Sequence, residues 1–455
     1  MLLRVCRIID ILVAGLIGTL IFISFIIFLP VFRFIRFLTY DTRTRKPRMF
    51  TTFNMSYAGF VERGMEWRVL DQDLDSFFER AIVFLIIADV QNTIIAKDGG
   101  LIIIDNKHLF KDVVWLKENF RFLYILLSFI YETMLISLLV WKHSIDFSRV
   151  RGPFYEGLLG LAQKCLNGIP YIISVHADWD RMYKETGQGV LCRYKFIDEI
   201  VERINLFFAD SVISFFPAQE SYLLRHRARK NRIRLSYVPT RFYELFSKID
   251  KSPQQLKEEL HLPLDKRILM YAGRFSVEKY VDDLIRVLYE IRKSIIDSVL
   301  VLIGRGPAEF ELQRLCTDLG FSEQDVIFIP YQNHSNLAKY YLCADVHLAP
   351  DGGSSMREAL FSGKPVVGYN IWTVTEFIED GKNGLIVEFR NIQKLAEAVI
   401  SLLNNPELSH SIAENAVKDA YSLYSAPKVY AHRKKIYGEL LKNRYPNLEI
   451  SYEES

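Results

Sequence analysis

The chain has 455 residues, enough for two or three domains with cores of their own. Its formal charge of +3 is too small to argue for nucleic acid, and its nine histidines form no cluster at metal-ligand spacing. Half the residues are hydrophobic and 13% aromatic, high for a soluble enzyme and in keeping with membrane contact. Five scattered cysteines (Cys6, Cys165, Cys192, Cys316, Cys343), with no CxxC pair, read as reduced thiols and not as a disulfide framework.

Ile11 to Leu29 is an uncharged apolar run of 19 residues, about one bilayer-spanning helix. Arg4 and Arg7 precede it, while Arg33, Arg36, Arg43, Arg45, Lys46 and Arg48 follow. The heavier positive side is normally cytoplasmic, so the expectation is a single-pass cell-membrane anchor with the body in the cytosol. No small-residue cleavage site favours a signal peptide instead. A second apolar run, Phe122 to Trp141, contains Glu132 and is expected to be a buried or membrane-grazing helix, since spanning would split one sheet across the bilayer.

Mixed α/β pattern begins after the basic linker, with strands expected at Arg48–Phe53, Ala81–Ile87, Leu101–Asp105, Tyr171–Val175 and Ser211–Phe215. From Lys266 the alternation is cleaner. Strands are expected at Ile268–Ala272, Val299–Ile303, Val326–Ile329, Val346–Ala349, Pro365–Val367 and Leu385–Val387, with helices between them. Such alternation predicts a doubly wound parallel sheet whose ligand crevice lies at the C-terminal strand ends. The expected domains are an anchor and linker over 1–47, an N-terminal Rossmann-like domain over 48–247 and a linker over 248–266. A C-terminal Rossmann-like domain over 267–420 follows, then a C-terminal helix and tail over 421–455 that packs back on the N-terminal domain.

The motifs fall where that crevice should be. Arg274 and Lys279 straddle the turn after the strand ending at Ala272, a fork and a point charge suited to a diphosphate. Gly304 and Gly306 end the next strand and read equally as a plain turn or as a loop that a ligand approaches closely. Pro350 to Val367 reads strand, Gly352-Gly353 turn, helix, with Glu358 one turn inside that helix. A helix start offers backbone N–H groups to an anion, and the carboxylate can accept from a polyol. Phosphate plus polyol points to a nucleotide sugar. The run Arg225 to Arg234 holds six positive charges and reads as a solvated face or as a contact for anionic lipid.

Residues from about 266 to 405 resemble the donor-binding domain of glycosyltransferase family 4, retaining enzymes of the GT-B fold. The runs that carry the resemblance are YAGRFSVEK, VLIGRGP, YYLCADVHLAP, REALFSGKPVVGYN and TEFIEDGKNGLIV. It implies an α/β GT-B fold: two Rossmann-like doubly wound domains facing a cleft, here behind one N-terminal transmembrane helix. It further implies that Arg274 and Lys279 hold the donor diphosphate, that Glu358 binds ribose hydroxyls, and that Gly304, Gly306, Gly352, Gly353, Thr375 and Glu376 line or enclose the donor. The family's first glutamate is Pro350 here, and Asp351 is the nearest carboxylate to replace it. Gly168 to His176 resembles the family's run into a strand ending in a histidine beside the reaction centre, which makes His176 a catalytic candidate. Thr240-Arg241 stands where the family has Asn-Gly, and Tyr57-Ala58-Gly59 is the best candidate for its glycine-rich loop.

The expected activity is a metal-independent, cofactor-free hexosyltransferase. It would move a sugar from a nucleoside diphosphate to a lipid-linked or membrane-proximal glycan acceptor, with no nucleic-acid partner. The alternative is a pseudo-glycosyltransferase acting as a scaffold subunit of a membrane complex.

Overall fold

A computed structural model describes residues 13, 29–36, 38, 46–74, 77–88, 91–107, 114–186 and 195–442. The expected anchor at Ile11–Leu29 lies almost wholly outside the described residues. The chain forms two compact α/β units, the first reaching Ser236 and resuming at His432, the second spanning Tyr237–Ala431.

The sheet of unit 1 has eight strands: β1 (Arg48–Phe53), β2 (Arg80–Ala88), β3 (Asn92–Ala96), β4 (Leu101–Lys107), β5 (Phe147–Val150), β6 (Tyr171–Val175), β7 (Ser211–Ser214) and β8 (Ile233–Leu235). Their order is β3-β4-β2-β1-β5-β6-β7-β8, parallel apart from the antiparallel β3–β4 edge pair. The strands β1, β5, β6 and β7 are buried almost throughout because helices cover both faces of a parallel sheet. Its main helices are α1 (Tyr57–Glu62), α2 (Arg121–Lys142), α3 (Tyr155–Asn167), α4 (Lys195–Phe208) and α5 (Gln219–Arg225). Tyr57-Ala58-Gly59 is not a glycine-rich loop: Ser56 caps Gly59 N and turns these residues into the start of α1.

Of the described residues, Arg121–Lys142 is the helix long and apolar enough to cross a membrane. It packs on α3 instead, with Ser128, Glu132, Thr133, Ser137 and Val140 buried. Glu132 accepts from Tyr155 Oη at 2.9 Å, and Ser137 donates to Gln163 at 3.1 Å. A carboxylate satisfied within the fold fits the buried-helix expectation.

Unit 2 carries a six-stranded parallel sheet, ordered β11-β10-β9-β12-β13-β14. Its strands are β9 (Arg267–Ala272), β10 (Ser298–Ile303), β11 (Val326–Ile329), β12 (Val346–Leu348), β13 (Val366–Tyr369) and β14 (Leu385–Val387). Covering helices are α6 (Pro253–Glu259), α7 (Val281–Ile291), α8 (Glu309–Asp318), α9 (His334–Cys343), α10 (Ser354–Leu360), α11 (Trp372–Thr375), α12 (Ile392–Asn404) and α13 (Pro406–Tyr424). One core joins Leu269, Leu300, Val346 and Val367 to Leu284, Leu288 and Val399.

Two expected boundaries move. Residues 248–266 are not a linker, because Ser252-Pro253-Gln-Gln255 is a capping box with proline at the first helical turn. The resulting α6 buries Leu256, and Glu259 pairs with Lys339 of α9 at 2.7 Å, so the segment belongs to unit 2. At the other end, unit 2 runs past 420 to Ala431, since α13 buries Ile412, Ala416 and Ala420. The last helix, α14 (Ala426–Leu441), returns to unit 1, where Tyr437 packs on Phe147 and Arg433 donates to Ser236 Oγ at 3.2 Å.

Candidate functional site

In unit 2 the C-terminal ends of β9 and β10 are held together by glycine. Gly304 has φ +145°, and a Cβ there would stand 1.9 Å from Gly273 O; one on Gly306 would stand 2.1 Å from Phe275 O. Gly273 N donates to Ile303 O at 2.9 Å and Phe275 N to Arg305 O at 3.1 Å. Gly304 and Gly306 therefore let two loops stack backbone on backbone, a reason for glycine that precedes any ligand.

That stacking shapes a cavity of about 280 Å³ lined by Gly273, Arg274, Gly304, Tyr331, Ser354 and Glu358, among others. Arg274 is exposed in the loop after β9. Glu358 is buried on α10, where Tyr341 Oη donates to it at 3.2 Å. Burial and then the Glu358 charge push the Tyr341 hydroxyl well above its ordinary pKa, so it stays a proton donor to that carboxylate. A larger hollow of about 520 Å³ lies between α8 and β11, but its one charged lining residue is Glu323, which suits no phosphate.

Lys279 and Asp351 are brought together as a direct ion pair, with Asp351 the more buried partner. Gly352 and Gly353, at φ +67° and +94°, turn the chain from Asp351 into α10, and a Cβ on Gly352 would meet Thr373 O at 2.3 Å. Thr375 is exposed at the end of α11 and Glu376 follows it; neither lines the cavity.

Unit 1 presents a second group at its own C-terminal strand ends. His176 follows β6, stays exposed, and its ring stacks 4.6 Å from Phe215. Surrounding protein and then Arg151, Arg149, Arg68 and Arg433 hold its pKa well below the ordinary value. Because the ring keeps an open face, the cations are the durable part of that shift, and His176 is neutral near pH 7.

Arg149, buried on β5, donates from Nε to Ser174 Oγ at 2.9 Å, and its buried Nη2 has no hydrogen-bond partner among the described residues. Arg151 donates to Gln72 Oε1 at 3.0 Å and lies 3.5 Å over the Phe53 ring. Burial and then Arg149 and Arg433 depress Arg151. A guanidinium does not give up its proton, so that depression reads as excess positive charge at this edge. These arginines were missed as site residues. The available signal was Arg149 itself, a charge inside the strand FSRV where both faces are covered. Tyr341 was missed too, and nothing in its local sequence marks it. Among the described residues no three His, Cys, Asp or Glu side chains converge as metal ligands.

Residues 253–419 match the family model described as Glycosyl transferases group 1. That match falls wholly within unit 2 and supports a glycosyltransferase activity. The chain is 25% identical over 286 residues to the alpha-monoglucosyldiacylglycerol synthase of Acholeplasma laidlawii, covering 60% of this chain and 71% of that protein. It is 26% identical over 193 residues to the N-acetyl-alpha-D-glucosaminyl L-malate synthase of Bacillus anthracis, covering 42% of this chain and half of that one. Among solved structures, sucrose-phosphate synthase from Thermosynechococcus elongatus superposes with TM-score 0.69 at 18% identity, over 87% of this chain and 100% of that chain. HepE of Anabaena in complex with UDP gives TM-score 0.65 at 16% identity, over 87% and 99%. The two units thus share the two-domain α/β, GT-B-like fold of those structures.

Proposed function

We propose that the chain is a retaining, family 4 glycosyltransferase that moves a sugar from a nucleoside diphosphate to a lipid-linked or membrane-proximal glycan acceptor. The observation that carries the donor half is one cavity lined by both Arg274 and Glu358, an anion partner and a hydroxyl partner on a single wall. Arg274 binds the diphosphate with Lys279, which exchanges Asp351 for phosphate oxygens. Glu358, oriented by Tyr341, accepts from ribose hydroxyls. Charge developing on the departing diphosphate is then stabilised by groups already in place.

The relatives support the donor class, one being solved with UDP. The acceptor class rests on less: the apolar run 11–29 as a cytosol-facing anchor, and a relative named as a diacylglycerol-lipid synthase. Neutral His176, among arginines at the C-terminal strand ends of unit 1, is the proposed catalytic histidine.

The test is Arg274→Ala and Lys279→Ala, assayed with UDP-, GDP- and ADP-sugars. Each substitution is expected to weaken nucleotide binding roughly tenfold or more, the scale of a charged hydrogen bond. Unchanged turnover in the double variant would remove the diphosphate assignment. The Asp351–Lys279 pair also favours a second reading, a nucleotide-binding scaffold in which that carboxylate serves structure alone. Nucleotide binding without transfer by the unmodified chain would select it.

A further inference from the structure

Helices on a globular surface normally turn apolar residues inward. One helix of unit 1 largely does the reverse. α4 buries Asp198, Glu202 and Asn205 beside Leu206, while Phe196, Ile200, Ile204, Phe207 and Phe208 stand exposed, Phe196 by 61% and Ile200 by 53%. The buried polar groups are used: Asn205 Nδ2 donates to Pro153 O at 2.7 Å, and Glu202 takes Tyr222 Oη and His226 Nδ1. α2 buries Ile136 and Val140 in the core along with Ser128, Glu132, Thr133 and Ser137, and leaves Met134 and Leu138 exposed.

Both helices pack on α3. The connections β4–α2–β5, β5–α3–β6 and β6–α4–β7 all step the same way along the sheet, so right-handed crossovers put the three helices on one face. The helical residues 29–36 join this layer. Arg33 donates to Cys165 O at 3.5 Å and Arg36 to Val140 O at 3.5 Å, the last carbonyls of α3 and α2, leaving Val31 and Phe34 exposed.

We infer that this outer face docks on an anionic lipid surface. Charge decides the occupant. The Arg229 guanidinium lies 4.3 Å over the Phe207 ring, and Arg232 donates to Ala209 O, so the basic run 225–234 borders the exposed end of α4. Arg225, Arg227, Arg229 and Lys230 are all exposed there, as is Arg203 on α4. An isologous second copy would bring the same cationic border to the interface and add net repulsion in place of attraction. An anionic bilayer accepts the apolar stripe and its cationic border together, each cation strengthening binding roughly fivefold. The inference is independent of the transferase reading.

Full-length chain in lipid nanodiscs tests it, with bimane on Ile200→Cys after Cys6, Cys165 and Cys192 are changed to serine. Whether or not residues 11–29 hold the chain in the disc, only contact of this face brings position 200 within reach of brominated acyl chains. In phosphatidylglycerol discs the bromolipid is expected to quench this probe at least twofold, and to leave one on Tyr289→Cys of unit 2 unaffected. Changing Arg225, Arg229 and Lys230 to glutamate should remove most of the quenching at an unchanged melting midpoint. A probe at 200 that stays bright in anionic discs, or is shielded in detergent-free solution by a dimer, overturns the proposal. So does quenching that survives charge reversal.

Discussion

Lys279 is bonded to Asp351, so a diphosphate arriving beside Lys279 competes with that carboxylate. Asp351→Asn should free the ammonium and tighten nucleoside diphosphate binding about three- to tenfold by calorimetry. If Asp351 also takes the place of the family's first glutamate, kcat falls in the same variant. Tighter binding with unchanged kcat would leave Asp351 a purely electrostatic counterweight. Glu132 offers a second residue-scale test. Burial raises its pKa to about 7, opposed by the Tyr155 hydrogen bond and helped by Glu156. A carboxyl whose folded pKa exceeds its unfolded value costs stability as pH rises through that window, here from about 4.5 to 7. Glu132→Gln should therefore stabilise the chain by up to about 3 kcal/mol at pH 8 and by almost nothing at pH 4. Denaturant titrations at the two pH values give the difference directly, and an equal effect at both would show that Glu132 is not held protonated.

Among the elements, the stacked loops after β9 and β10 are the least tolerant. Gly304→Ala puts a methyl 1.9 Å from Gly273 O at a φ that L residues rarely adopt. The expected cost is about 2–4 kcal/mol of unit 2 stability, together with loss of nucleotide binding. Thermal unfolding with and without UDP measures both. Elements of unit 2 are legible in the sequence because most strands are apolar runs closed by glycine, proline or a charge, and α9, α12 and α13 start at asparagine caps. α6 is the exception, hidden by polar composition although Ser252 and Gln255 spell a capping box. Unit 1 is harder to read. β5 carries Arg149, β3 is half exposed, and α4 has its polarity reversed, so the usual link between apolarity and burial fails there.

For the whole molecule, the proposed donor site of unit 2 is legible and the cationic group of unit 1 is not, for a physical reason. The proposed diphosphate and ribose partners cluster in a few short motifs of one unit, whereas the cations around His176 come from Arg68, Arg149, Arg151 and Arg433, spread over most of the chain. A nucleoside diphosphate that binds only the folded state should raise the unfolding free energy by about 2.7 kcal/mol at a hundredfold excess over its Kd. Scanning UDP, GDP and ADP by melting midpoint should single out one base. If none of the three shifts the midpoint, the cavity beside Arg274 and Glu358 is not a nucleotide site.

The reversed polarity of α4 also separates two jobs that surface helices usually combine. Its internal contacts are chiefly hydrogen bonds of Asn205 and Glu202 beside one buried Leu206, while Phe196, Ile200 and Phe208 stand outward. The outward residues can be rewritten as lysine, glutamate or glutamine with little loss of fold. Such a chain, also relieved of residues 1–28, is a route to a detergent-free, water-soluble catalyst assayed on short soluble acceptors.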